Sequence, residues 1–207
     1  MLCQHDLVSS TARDVQPDSL ARREQILDAA LDVFGRQGFR QGSLKEVAVA
    51  VGLTVQGVLH HFPTKEALLM ATLERRNAQR SARLEEVGEH QGVVAMMRVL
   101  LLENLEHPGF MRLFVTLAAE ATDPSHPAHE YFLGRYRTVH DRLRSGFIND
   151  VRAGRAATEI DPDAAAEEVV ALCDGLQLQY LLRPDMDPLA TYDRSVNHLQ
   201  AAPRPGD

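Results

Sequence analysis

Between Ser43 and His61 the chain carries two helix-start signals and one turn signal, spaced for two short helices that meet at a corner. Ser43-Leu44-Lys45-Glu46 has the form of a capping box, in which the Ser hydroxyl and the Glu carboxylate each satisfy a backbone amide left unpaired at a helix start. A short helix is therefore expected over about 44–51. Gly52 permits the left-handed backbone of a sharp turn, Leu53 can plug the angle, and Thr54 can cap a second helix running through His60. Two short helices joined by a glycine-containing turn make a candidate helix-turn-helix.

The flanking sequence is also helical. From Ser19 to Gly38, Ile26, Leu27, Ala30, Leu31 and Phe34 recur at helical spacing, opposite Arg22, Arg23, Glu24, Asp28 and Asp32. Gly38 suits a C-terminal cap, and Phe39 can fold back on the apolar stripe. Pro63 stops the second short helix, Thr64 can cap the next, and Lys65 to about Val87 reads as a longer helix that turns Ala67, Leu68, Ala71 and Leu84 inward. Further helices are expected at 93–106, 109–122, 127–153, 163–182 and 188–200. Asp161-Pro162 and Asp187-Pro188 each set a capping carboxylate before a proline at the first helical position.

Strand signals are weak throughout, so the expected fold is all-α with roughly nine helices. It divides into an arm (1–18), a helix-turn-helix head (19–63), a connecting helix (64–88), a larger helical domain (89–200) and a tail (201–207). The arm and tail read as flexible. The first residues lack the basic start and apolar block of a secretory signal, and no apolar run approaches the roughly 20 residues that cross a bilayer. Cys3 and Cys173 make a poor disulfide framework and suit a reducing compartment, so a cytoplasmic protein with no membrane partner is expected.

Net charge at pH 7 is −7, which argues superficially against a nucleic-acid partner. Residues 1–80, however, hold ten Lys/Arg and nine Asp/Glu, a balance of +1, whereas residues 81–207 hold twelve against twenty, a balance of −8. The acidity belongs to the C-terminal part. A nearly neutral head can still grip DNA if its few cations face the phosphates.

In the second short helix, Val58, Leu59 and Phe62 are available for packing, leaving Thr54, Val55, Gln56, His60 and His61 to meet solvent or a partner. A major groove admits one helix, whose N-terminal side chains reach base edges. Gln56 is the candidate for hydrogen-bonded base readout, and Val55 for contact with a thymine methyl. Gly57 costs about 0.5–1 kcal/mol of helix propensity relative to Ala but lets the helix approach DNA closely. Spacing alone does not separate this reading from a helical corner that binds protein.

Other chemistry is weaker. His126-Pro127-Ala128-His129-Glu130 invites a metal reading, yet no further ligands stand at suitable spacing, and the adjacent His60 and His61 point about 100° apart on a helix. No nucleophile with its base, metal set or glycine-rich phosphate loop is recognisable, and Glu85-Glu86 and Glu167-Glu168 are adjacent pairs that suit solvated faces. Neither an enzyme nor a cofactor or metal site is expected.

Ile26-Leu-Asp-Ala-Ala-Leu-Asp-Val-Phe, Gly38-Phe39 and the run LKEVAVAVGLTVQGVLHHFPTKEALLMATL closely resemble the head of the tetracycline-repressor (TetR) family over about residues 20–73. The resemblance implies a three-helix DNA-binding head, a fourth connecting helix and a C-terminal ligand-binding and dimerisation domain. By position, Ser43 and Leu44 would meet the DNA backbone, Thr54 and Gln56 would enter the groove, and Lys65 would hold a phosphate. Gly57 matches a site that is often glycine or small. His60 stands where the family usually has a phosphate-contacting Tyr, and its shorter side chain puts that contact in doubt.

The stretches PSHPAHEYFLGRYRTVHDRL and DPDAAAEEVVALCDGLQLQYLL resemble a subgroup of the same family. By analogy, helices 127–153 and 163–182 would pair with their mates in a second subunit. A small organic effector would then lie among the helices from 93 to 182, against Met97, Leu101, Phe114, Leu117, Tyr136, His140 and Gln177. For each of these seven, ordinary core packing is the competing reading. The implied function is a dimeric regulator, most simply a repressor, that leaves a pseudo-palindromic operator when the effector binds.

Overall fold

The computed structural model describes residues 17–201. Cys3, all but the last two residues of the expected arm, and all but the first residue of the expected tail lie outside the described residues. The described chain forms nine α-helices and one 3-10 turn, and its only β feature is an isolated antiparallel bridge between Ala156 and Gln200.

Helix α1 (Pro17–Gln41) leaves helical geometry at Gly38 (φ 77°), where the sequence places a cap, and Phe39 turns back edge-on against Phe34 with ring centroids 5.7 Å apart. Helices α2 (Leu44–Ala50) and α3 (Val55–His61) follow at the expected corner. The connecting helix α4 (Lys65–Gln91) runs a turn beyond its expected end, because Gly88 stays helical and Gly92, at φ 89°, makes the break. The remaining helices are α5 (Val93–Leu105), α6 (Pro108–Glu120), α7 (His129–Arg152), α8 (Pro162–Leu182) and α9 (Pro188–Ser195). Asp161 and Asp187 cap α8 and α9 as the Asp-Pro signals predict, accepting from the Asp163 and Ala190 amides.

Two apolar clusters organise these helices. The first joins Ile26, Val33 and Phe34 of α1 to Val47, Val58, Phe62 and Leu68, and continues through Phe110, Leu113, Phe114 and Leu117 of α6 to Phe132 of α7. The core of the head therefore does not stop at the head: α6 is packed into it. Ion pairs reinforce the joint, with Arg40 held 3.2 Å from Glu120 of α6, and Arg75 of α4 paired with Glu24 and Asp28 of α1. The second cluster assembles Val93, Met97, Leu101, Leu143, Phe147, Val169, Cys173, Leu176 and Tyr192 from α5, α7, α8 and α9.

Helix α5 has no cap of its own. Its first amide, Val93 N–H, donates to the buried Asp150 carboxylate of α7 at 2.7 Å, and Arg155 neutralises that carboxylate at 2.8 Å. The far end of α7 is thereby pinned to the junction of α4 and α5.

Candidate nucleic-acid interface and internal cavity

Local hydrogen bonds build the helix-turn-helix. At the start of α2 both arms of the capping box are made: Ser43 Oγ accepts from Glu46 N–H at 3.2 Å, and Glu46 Oε2 accepts from Ser43 N–H at 3.0 Å. Gln37 donates to the other carboxylate oxygen at 2.7 Å, and this bond, with those from Ser43, holds Glu46 below the usual carboxylate range. At the end of α2, Leu53 N–H donates to Ala48 O and Gly52 N–H to Val49 O around Gly52 at φ 67°, the paired bonds of a Schellman motif. Thr54 Oγ1 then caps α3 by accepting from Gly57 N–H at 3.1 Å.

The corner sorts most of its side chains as the pattern predicts, but Leu59, expected to pack with Val58 and Phe62, is only partly buried and joins neither apolar cluster. Val58 and Phe62 are buried and Leu53 packs on the same cluster, while Thr54, Val55, Gln56 and His60 are exposed and Ser43, Leu44 and His61 partly so. One face of α3 thus presents a hydroxyl, a small apolar group and a carboxamide in its first turn. A Cβ added to Gly57 would meet Leu53 and Thr54 at 3.5 Å, an ordinary contact, so the packing of the protein itself does not require glycine there.

Cations hold this corner in place. Arg23 donates to His61 O at 3.2 Å and lies 4.1 Å over the Phe62 ring, satisfying a carbonyl at the negative end of α3. Lys65, expected to hold a phosphate, donates to Arg40 O at 3.2 Å and sits 4.6 Å over the Phe39 ring, so it also ties α4 to the end of α1. His61 is pushed below its ordinary range by burial, with His60, Arg23 and Arg22 adding repulsion, and its neutral form is favoured. A shallow groove lined by Arg22, Gln25, Leu53, His60 and His61 runs between α1 and α3.

A second feature lies away from this surface. A cavity of about 600 Å³ opens between α4, α5 and α7, with Leu84, Met96, Met97, Leu100, Val139 and Leu143 on its apolar walls. Of the seven residues expected to meet an effector, Met97 lines it. Leu101 is buried in the second cluster, and Phe114 and Leu117 in the first. Tyr136 is exposed on α7, its hydroxyl donating to Asp174 at 2.7 Å, and His140 lies near Asp141 and Asp163. Gln177 is buried in a polar chain behind the cavity.

That chain crosses four helices. Asn77 donates to Tyr131 Oη at 2.7 Å, Arg80 donates to Asn77 at 3.0 Å and to Asn104 at 2.8 Å, and Asn104 donates to Gln177 at 2.8 Å. The cavity wall also includes residues of α4 absent from the expected effector contacts: Leu84, which the sequence turns inward as core, and Arg80, which sequence reasoning passes over. A signal is there to be read: Leu73, Asn77, Arg80, Leu84 and Gly88 repeat at intervals of three or four, which sets two polar residues in an inward stripe.

On the outer faces of α7 and α8, Leu133, Tyr136, Leu178 and Leu182 are exposed, Leu182 by 74%. A Cβ at Gly134 or Gly175, on the same two helices, would meet nothing within 4 Å. Among the described residues no helix is long and apolar enough to cross a membrane.

The profile of bacterial regulatory proteins of the tetR family matches residues 26–72, and that of the BetI-type transcriptional repressor C-terminal domain matches residues 89–202. The chain is 26% identical over 194 residues to the HTH-type transcriptional regulator TtgR of Pseudomonas putida, spanning 89% of this chain and 92% of that protein. It is 26% identical over 168 residues to the HTH-type transcriptional repressor AcnR of Corynebacterium diphtheriae, spanning 81% and 85%. The reduced form of E. coli NemR has the same fold, with a TM-score of 0.73 at 23% identity over 89% of this chain and 100% of that one.

Proposed function

The chain belongs to the tetR family of bacterial regulatory proteins, and from that premise we propose that it is a ligand-responsive repressor that works as a homodimer on a pseudo-palindromic operator. Helix α3 enters the major groove, with Gln56 reading a base edge, Thr54 and Val55 flanking it, and Gly57 allowing the approach. Ser43, Leu44, His60, His61 and Lys65 lie along the phosphates. The exposed apolar faces of α7 and α8 pair across a two-fold axis, where Gly134 and Gly175 admit a close partner. Two heads so related meet half-sites about 34–36 Å apart.

A small organic effector occupies the cavity between α4, α5 and α7 and releases the operator by a population shift between two dimer geometries. One observation carries this reading: α4 lines the cavity with its C-terminal half, from Asn77 to Glu89, and is bolted to α1 of the head by Arg75, Glu24 and Asp28. A ligand that changes the tilt of α4 must move the head.

The complex on duplex DNA tests the proposal. Two protomers per operator by mass, with affinity falling steeply between 50 and 200 mM salt (on the order of a thousandfold for six phosphate contacts), is the expected result. Salt-insensitive binding would favour a protein-interaction module instead. A compound that releases the operator must bind the free dimer more tightly than the DNA-bound dimer, and equal affinity for both rules out the switch.

A further inference from the structure

The charged groups that line the cavity are unevenly buried and unevenly paired. Arg80, in the middle of α4, is only 8% exposed, and among the described residues no carboxylate lies within ion-pair distance of it. Its two hydrogen bonds, to Asn77 and Asn104, use two of the five N–H groups of the guanidinium. Burial and two further guanidiniums, Arg135 and then Arg76, push it down to about 10, which still leaves it charged at neutral pH. Arg135 stands 4.9 Å over the Phe114 ring and also faces the cavity, again without an ion pair among the described residues. Glu103, the acid that favours the charge on Arg80, is engaged by Arg83 at 3.1 Å.

The acidic groups of the lining lie elsewhere. Glu85 and Glu89 are exposed and stand about 7.5 and about 13.5 Å further along the α4 axis than Arg80. Asp150 is already neutralised by Arg155 and by the Val93 amide. Asn77, Ser81 and Asn149 add neutral polar groups to the lining, and a further guanidinium, Arg142, is exposed. Beside the apolar walls the cavity therefore holds two sheltered guanidiniums, Arg80 and Arg135, with donors to spare, while the acids are paired or at the solvent margin. A buried cation without a counter-charge is costly unless a partner supplies one.

We propose that the effector is an amphiphilic carboxylate whose acid group is held by Arg80 and Arg135, with its apolar body lying on Met96, Met97, Leu100, Val139 and Leu143. This rests on the reading of the cavity as the effector site and adds the chemical class of its ligand. The planar fork of a guanidinium matches a carboxylate in a bidentate geometry that a neutral amide cannot reproduce and an ammonium opposes. Because the carboxylate bridges Arg80 of α4 to Arg135 of α7, its binding draws together the helix that carries the head and the helix assigned to the dimer interface.

The test is calorimetric titration of the full-length, DNA-free protein with matched probes: hexanoate, octanoate, decanoate and 4-phenylbutanoate, each beside its primary amide and the corresponding alkylammonium ion. Carboxylates binding about tenfold or more tightly than their amides, with the preference abolished in Arg135→Gln and Arg80→Met, is the expected result. Arg135 is half-buried, so Arg135→Gln keeps the test decisive should Arg80→Met fold poorly. Equal or tighter binding of the amides or ammonium ions, or no binding of any carboxylate, overturns the proposal. A protein that binds operator and is released only by neutral or cationic compounds keeps the regulator reading and loses this one. Carboxylate binding without any DNA binding does the reverse.

Discussion

Gly35 of α1 and Gly109 of α6 meet backbone to backbone: a methyl group on Gly35 would fall 3.0 Å from the Gly109 carbonyl carbon, tight enough that the Gly109 backbone must yield by a few tenths of an ångström. The contact is one-sided, since a methyl on Gly109 would lie 3.8 Å from Gly35. Together with the apolar cluster shared by α1 and α6, it makes the head and α6 a single packed body.

Gly35→Ala should therefore destabilise the protein by about 1–3 kcal/mol, the usual cost of overpacking against backbone. Gly109→Ala should be close to neutral. Thermal unfolding of the two variants checks this, and equal effects would show that the close approach does not constrain the joint.

Gly57→Ala separates folding from recognition. An added methyl meets only ordinary contacts inside the protein, so helix propensity should raise stability by about 0.5–1 kcal/mol. Operator affinity should fall, because in the proposed docking the methyl would stand between α3 and the groove floor. A variant that is more stable and binds the operator as well as the parent would remove Gly57 from the interface.

Gln56 and Lys65 should fail differently. Gln56→Ala should cost about 1–3 kcal/mol against the preferred base and relax selectivity at that position. Lys65→Ala should weaken binding to all sequences, lower the salt slope, and also lower stability, because Lys65 holds Arg40 O and the Phe39 ring. Competition titrations at two salt concentrations distinguish these patterns.

His61 supplies a pH dependence. Its folded-state value lies below the ordinary 6.5, first because of burial and then because of His60, Arg23 and Arg22. Well above 6.5 the ring is neutral folded or unfolded and contributes no slope. As pH falls below 6.5, the unfolded chain takes up the proton first, so stability is lost progressively down to the folded-state value. Denaturant midpoints for the parent and His61→Gln, measured from about pH 7.5 to about pH 5 to bracket the imidazole range, should diverge, with the variant losing less stability on acidification. Parallel curves would mean that His61 is not protected from protonation.

Leu182→Asp should break the dimer without unfolding the protomer, since Leu182 is 74% exposed. Sedimentation should report a folded monomer with greatly weakened operator binding. A variant that stays dimeric places the interface elsewhere.

The helix-turn-helix is legible in the sequence because its determinants are local. Ser43 and Glu46, Gly52, and Thr54 act within five residues of their partners, and each makes the bond its type predicts. The helix starts at Asp161-Pro162 and Asp187-Pro188 are legible for the same reason. The cavity is not, because Phe114 and Leu117 have the same helical spacing as Met97 and Leu100, and only the stacking of distant helices decides which pair meets side chains and which meets a void. Arg80 escapes a reading of α4 as a connecting helix alone; the polar residues in its inward stripe carry the cavity's charge.

The most direct test of the central claim is selection of bound sequences from random duplex DNA by the purified full-length protein, repeated at two salt concentrations. The account predicts enrichment of a pseudo-palindrome with half-sites about one helical turn apart, bound less tightly at the higher salt. No enrichment, with no salt-sensitive binding, would contradict it.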